Sequence, residues 1–185
     1  MDKYLTRKNI FIVLGVIIAL EVIWAGWSLL KPQPTPTTPA ESMIQQTSLT
    51  LSTPKLDFSV GEEIEVSIQI SSSKNVDGAD LIISFDPKIL TAKPTALGTI
   101  FSDYPQNTTD AILGKMSISG ITSQMGGVVL NGEFGKLNFV AKAAGTTRIS
   151  FDFTPGQTVD TNIIESGTGK DILEKVNQLE INILP

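Results

Sequence analysis

Asn75, Asp77 and Asp80 put three oxygen-bearing side chains within a short stretch, the kind of spacing that opens a calcium-binding loop. Such a loop needs further acids and a closing glutamate at its twelfth position, and counted from Asn75 that position is Asp86. Asp86 precedes Pro87, so a turn explains it better than a metal does. Gly167-Thr168-Gly169-Lys170 has the ending of a phosphate-cradling loop. The first glycine of that motif falls on Ile164, however, and Asp171 replaces its hydroxyl residue, so the segment reads as a polar surface loop. Asp103, Asp110, Asp152 and Asp160 are further acids, but nothing in the spacing pairs two of them for acid–base work, and they read as solvated. The chain has no His and no Cys. The commonest general base, the commonest metal ligand, thiolate nucleophiles and disulfides are therefore all missing. The expectation is a non-enzyme without cofactor or metal. Asn107-Thr108-Thr109 fits the glycosylation sequon, which matters only in a host with the machinery.

The elements that would position any site divide the 185 residues in two. From Ile10 to Leu30 the chain is apolar, with Glu21 as its one ionisable group. A helix of that length spans roughly 30 Å, the hydrocarbon thickness of a bilayer. Trp24 and Trp27 fall near its C-terminal end, where indoles favour the membrane interface. Lys3, Arg7 and Lys8 precede the span and only Lys31 follows closely, which puts residues 1–9 in the cytoplasm and the bulk of the chain outside. A cleaved signal peptide fits less well, because Ile23 and Trp24 are large where a small-x-small site is needed and the apolar run is long. A pilin-like leader also fits poorly, since the apolar run starts before Gly15 and Glu21 is one residue late. Glu21 reads as a protonated or snorkelling carboxylate, with an intramembrane helix partner as the alternative.

Residues 31–47 hold four of the ten prolines, alternating with Thr35, Thr37 and Thr38. Proline lacks the N–H and extends its neighbour, so this stretch reads as a semi-stiff stalk, with O-glycans possible on the threonines. Residues 1–31 carry a net charge of +2 and the remaining 154 residues carry −7, which makes nucleic-acid binding unfavourable.

From residue 48 the pattern has period two. Ile64, Val66, Ile68 and Ile70 alternate with polar residues, as do Ala79, Leu81, Ile83 and Phe85. Shorter runs follow at Leu49 and Leu51, Met116 to Gly120, Leu137 to Ala141, Ile149 to Phe153, and Leu179 to Ile183. Half-buried strands read this way. Breakers stand between them at Val60-Gly61, Asp77-Gly78, Asp86-Pro87, Gly126-Gly127, Asn131-Gly132, Gly145 and Pro155-Gly156. Phe134 is out of phase with Leu137, which predicts a bulge near Gly135. The expectation for residues 48–185 is one all-β domain, a two-sheet sandwich.

Val60-Gly61-Glu62 leading into an apolar strand, Gly78 to Leu90 with Phe85-Asp86-Pro87 at its turn, Asn131 to Phe139, and Ala143 to Phe151 follow one another in an order that resembles the cohesin family, the modules of cellulosome scaffolds that bind dockerins. The resemblance covers about residues 48–184. It implies a jelly-roll sandwich of about nine strands that docks a protein partner on one sheet face. Some cellulose-binding modules share that architecture, so a carbohydrate-binding module is the alternative, as is a surface structural domain without ligand.

Aromatic residues bear on this choice. Sugar platforms stack pyranose rings on exposed Trp or Tyr. Both tryptophans lie in the apolar segment, Tyr104 is the only later tyrosine, and most phenylalanines fall on inward phases. A polysaccharide ligand is thus less favoured than a protein. In the segment 79–86, Asp80, Ile82 and Ser84 occupy the outward phase. The resemblance places Lys115, Ser117, Ser119 and Ile121 on the same sheet, and these seven residues are the expected partner face. For Ile82 the reading stays open between a docking contact and a residue covered by a loop. The whole implies a single-pass cell-membrane protein that displays its domain, and dockerin-bearing partners with it, outside the cell.

Overall fold

One strand organises the domain. In the computed structural model Glu63–Ser84 is continuous for 22 residues and joins the two halves of one hydrogen-bonded sheet of eleven strands, so the layers expected as two separate sheets are continuous through it. The structure describes residues 46–185 together with Val16, Ala19, Leu20, Glu21 and Trp24, which are helical and exposed. Most of the predicted membrane segment 10–30 and all of the spacer up to residue 45 lie outside the described residues. Among the described residues no helix is long and apolar enough to cross a membrane. The chain divides into two compact units, Met1–Met43 and Ile44–Pro185.

The second unit consists of β1 (Ser48–Ser52), β2 (Asp57–Ser59), β3 (Glu63–Ser84), β4 (Leu90–Leu97), β5 (Asp103–Asp110), β6 (Lys115–Ile121), β7 (Val128–Ala141), β8 (Gly145–Phe151), β9 (Asn162–Glu165), β10 (Lys175–Val176) and β11 (Gln178–Leu184). The first half of β3 lies between β1 and β7, with β4 beyond β7 and β10 parallel to β1. The second half pairs with β6 along one edge and with β9 and then β8 along the other. β5 extends this layer beyond β6, and β11 with β2 extends it beyond β8.

Eleven strands replace the expected nine or so because β2 and β10 are short additions at the sheet margins. Two expected breakers are not breaks. Asp77-Gly78 lies within β3 and Asn131-Gly132 within β7. A turn built on such a dipeptide draws on a glycine at positive φ, but neither Gly78 nor Gly132 has one. Partner strands satisfy their backbones instead, at Gly78↔Ile121 and Ile70↔Gly132. The expected bulge is present. Register slips from Ile68↔Gly135 to Gln69↔Glu133, leaving Phe134 as the extra residue, fully buried. The carbonyl of Phe134 accepts from the Tyr104 hydroxyl and the Gly98 N–H, both at 2.9 Å.

Alternation produces the core. Ile64, Val66, Ile68, Ile70, Leu81 and Ile83 are all 1% exposed or less and pack with Phe139, Ile149 and Ile118. Every member of this cluster falls between Leu49 and Ile183. Phe101 seals the β5 end, edge-on to both Tyr104 and Phe134. Gly120 makes room for it, because a Cβ there would stand 2.5 Å from the Phe101 ring.

Candidate functional site: the outer face of β5, β6 and β3

The β3–β6 register sets Asp80 opposite Ser119, Ile82 opposite Ser117, and Ser84 opposite Lys115. Gly78 faces Ile121 in the same ladder. The seven residues expected on the partner face are therefore cross-strand neighbours on one surface. Asp80, Lys115 and Ile121 are exposed, while Ile82, Ser84, Ser117 and Ser119 are half-buried. Their in-between neighbours Leu81, Ile83, Met116 and Ile118 are buried at 1% or less, so the phase of both strands is as expected.

Sequence reasoning missed a third column. In β5, Gln106 pairs with Ser119, Thr108 with Ser117 and Asp110 with Lys115. From Gln106 to Asp110 this edge strand is exposed on both phases, so it carries no alternation to read. Past its end, Asp110 Oδ1 accepts from the N–H groups of Ile112 and Leu113 and holds a tight turn. Ile112 and Leu113 are left 88% and 68% exposed at one end of the face.

Asp152 was missed as well. β8 meets β3 at Ser84↔Ser150, which brings the residue just past the strand over Ser84. The Ser84 hydroxyl donates to Asp152 Oδ1 at 2.7 Å and Lys115 Nζ donates to Oδ2 at 2.8 Å. Burial pushes the Asp152 carboxyl up, but the Lys115 and Ser84 hydrogen bonds outweigh it and hold the group below the usual aspartate range. Lys115 and Ser84 thus form a preset polar corner.

Ile82 lies where the neighbour of β3 changes from β9 to β8. No strand pairs with it on that side. Instead the fully buried Thr161 accepts from the Ile82 N–H and donates to the Ile82 carbonyl, both at 3.0 Å, and the Asp152 N–H bonds the same carbonyl at 2.8 Å. The segment 153–160 then rises beside the side chain, and Thr158, Val159 and Asp160 line a pocket of about 220 Å³ together with Ile82. Ile82 is half-buried in this setting.

Other chemistry is accounted for structurally. Asn75, Asp77 and Asp80 lie along β3, not on a loop, and Asn75 donates to the Gly126 carbonyl. Among the described residues no three His, Cys, Asp or Glu side chains group to hold a metal. Asp86 holds its turn, with Oδ1 accepting from the Lys88 N–H and the carbonyl from those of Ile89 and Leu90. Tyr104 is half-buried among Phe101 and Phe134, where burial raises its hydroxyl pKa, and it offers no flat platform for a sugar.

The described residues form a β-sandwich that carries a mixed apolar and polar sheet face. The family model for the cohesin domain matches residues 49–183. The chain belongs to the cohesin domain family. Among solved structures it is similar to a type II cohesin domain from the cellulosome of Acetivibrio cellulolyticus, with 22% identity and a TM-score of 0.62 over 74% of this chain and 95% of that one. It is also similar to the seventh ScaB type I cohesin from Pseudobacteroides cellulosolvens, at 18% identity and 0.59 over 75% and 92% of the two chains. A third similar structure is a type II cohesin–X-dockerin complex from Acetivibrio cellulolyticus, at 19% identity and 0.58 over 75% and 100%. No curated protein matches the sequence.

Proposed function

We propose that this chain is a membrane-anchored cohesin that holds a dockerin-bearing protein on the outer face of β5, β6 and β3. Membership of the cohesin family carries the reading. Several solved neighbours are complexes with dockerins, which agrees with it. The face suits a protein partner. Ile82 and Ile121 supply apolar contact among hydroxyls and charges, and Ile112 and Leu113 extend the apolar area at the end of the sheet. Asp80, Ile82, Ser84, Lys115, Ser117, Ser119 and Ile121 form its centre. The anchor reading rests on the apolar run 10–30 and the excess of basic residues before it, with residues 31–47 as the stalk. The domain then stands outside the cell and brings its partner to the surface. Proteolysis of intact cells tests this arrangement. External protease should release a fragment of residues 48–185 by cutting within 31–47, and a mature protein found soluble and starting near Gly26 would overturn it.

A further inference from the structure

Two buried oxygen acceptors beside the docking face have no donor. Asn162 is 4% exposed. Its amide nitrogen donates to the carbonyls of Asp160 at 2.9 Å and Thr158 at 3.4 Å, which fixes the orientation of the amide and turns Oδ1 away from them. Nothing donates to that Oδ1. Asp160 is in the same position. Its Oδ2 accepts from the Thr154 N–H at 2.6 Å, while its Oδ1 is buried without a partner. Buried acceptors left in this state are costly, and two of them two residues apart ask for a common partner.

A third oxygen group stands beside them. Asp80 is the cross-strand partner of Asn162 in the β3–β9 ladder, so their Cβ atoms are about 5 Å apart. The Asp80 carboxylate makes no hydrogen bond or ion pair among the described residues. Asp80, Asp160 and Asn162 line one pocket. Among the described residues no Lys or Arg forms an ion pair with Asp80 or Asp160, and Lys115 on the same face is held by Asp152.

We propose that Asp80, Asp160 and Asn162 form a calcium site on the β9 side of the docking face. The donor set is two carboxylates and one amide oxygen, all hard oxygen ligands, and the carboxylates balance a divalent charge. Calcium suits the set better than magnesium does, because it accepts irregular geometry and completes its shell with water. Bound there, the ion ties the segment 153–160 to β3 and stiffens one wall of the pocket that holds Ile82.

The domain of residues 44–185 is the material for the test, since its whole core lies within it and solved cohesins of this extent stand alone. The domain is stripped with EDTA, and its melting is followed with and without 10 mM calcium chloride, with magnesium chloride as control. At the affinity of about 0.5 mM common in extracellular calcium modules, the melting temperature should rise by about 5 °C. Asp160→Asn keeps the bond from Thr154 and should weaken calcium binding at least about tenfold by titration calorimetry. Asp80→Asn, at an exposed position of β3, should weaken it in the same direction without disturbing the segment. Equal melting of the wild type with and without calcium would overturn the proposal and leave water as the partner of these acceptors. An unchanged calcium response in both variants would overturn it too, by placing the ion elsewhere. No partner protein enters the measurement, so its outcome is separate from that of the docking proposal.

Discussion

Leu81 and Ile82 are adjacent on β3 and point to opposite faces, so truncating each in turn separates core from docking surface. Leu81 is 1% exposed and pairs with the equally buried Ile118. Leu81→Ala should cost about 2–5 kcal/mol of stability, the range for a leucine cavity that neighbours fill only in part. Ile82 is half-buried and lines a pocket together with Thr158, Val159 and Asp160. Ile82→Ala removes a comparable volume, but much of it already faces water, so the stability cost should stay below about 1.5 kcal/mol. Its effect belongs to binding. An apolar anchor at the centre of a face is worth about 1–2 kcal/mol, a five- to thirtyfold rise in Kd. Urea unfolding of both variants gives the first comparison, and titration calorimetry against a dockerin gives the second. If Ile82→Ala destabilises the fold as much as Leu81→Ala does, Ile82 is a core residue and the proposed face is wrong.

Gly120→Ala drives a Cβ into the Phe101 ring, which Tyr104 and Phe134 hold in place, and should cost about 1–3 kcal/mol in a denaturant titration. Phe101→Leu in the Gly120→Ala background should recover part of that loss. Asp152 titrates low in the folded domain, so its contribution to stability is present above the unfolded aspartate pKa and is lost as pH falls through the folded value. Lys115→Met should raise the Asp152 pKa in an NMR titration and make the stability less steep in acid, and an unchanged pKa would show that the Lys115 contact does not form in solution.

Much of this was legible because burial writes period two into a strand. Ile64 to Ile70 and Ala79 to Phe85 each place one face on the core, and the phase of Asp80, Ile82 and Ser84 followed directly. The Phe134 bulge was legible for the same reason, since one buried phenylalanine stood out of phase with its strand. β5 was not legible, because most of an edge strand exposed on both phases has no pattern to show. Asp77-Gly78 misled because a dipeptide's turn preference is weak beside the backbone pairing that neighbouring strands supply. The roles of Asp152, Asp160 and Asn162 depend on which distant strand lies beside β3, and local spacing does not encode that.

Dockerin binding at the face of β5, β6 and β3 can be tested directly. The most direct measurement passes the host's secreted proteins over the immobilised domain and identifies what is retained, in parallel with a domain carrying Ile82→Asp and Ser117→Arg. Both substitutions sit on the outer phase of paired strands and should leave the fold intact by circular dichroism. The wild-type domain should retain a chain with a duplicated calcium-loop motif, and the substituted domain should not. Equal retention of that chain by both domains would contradict it.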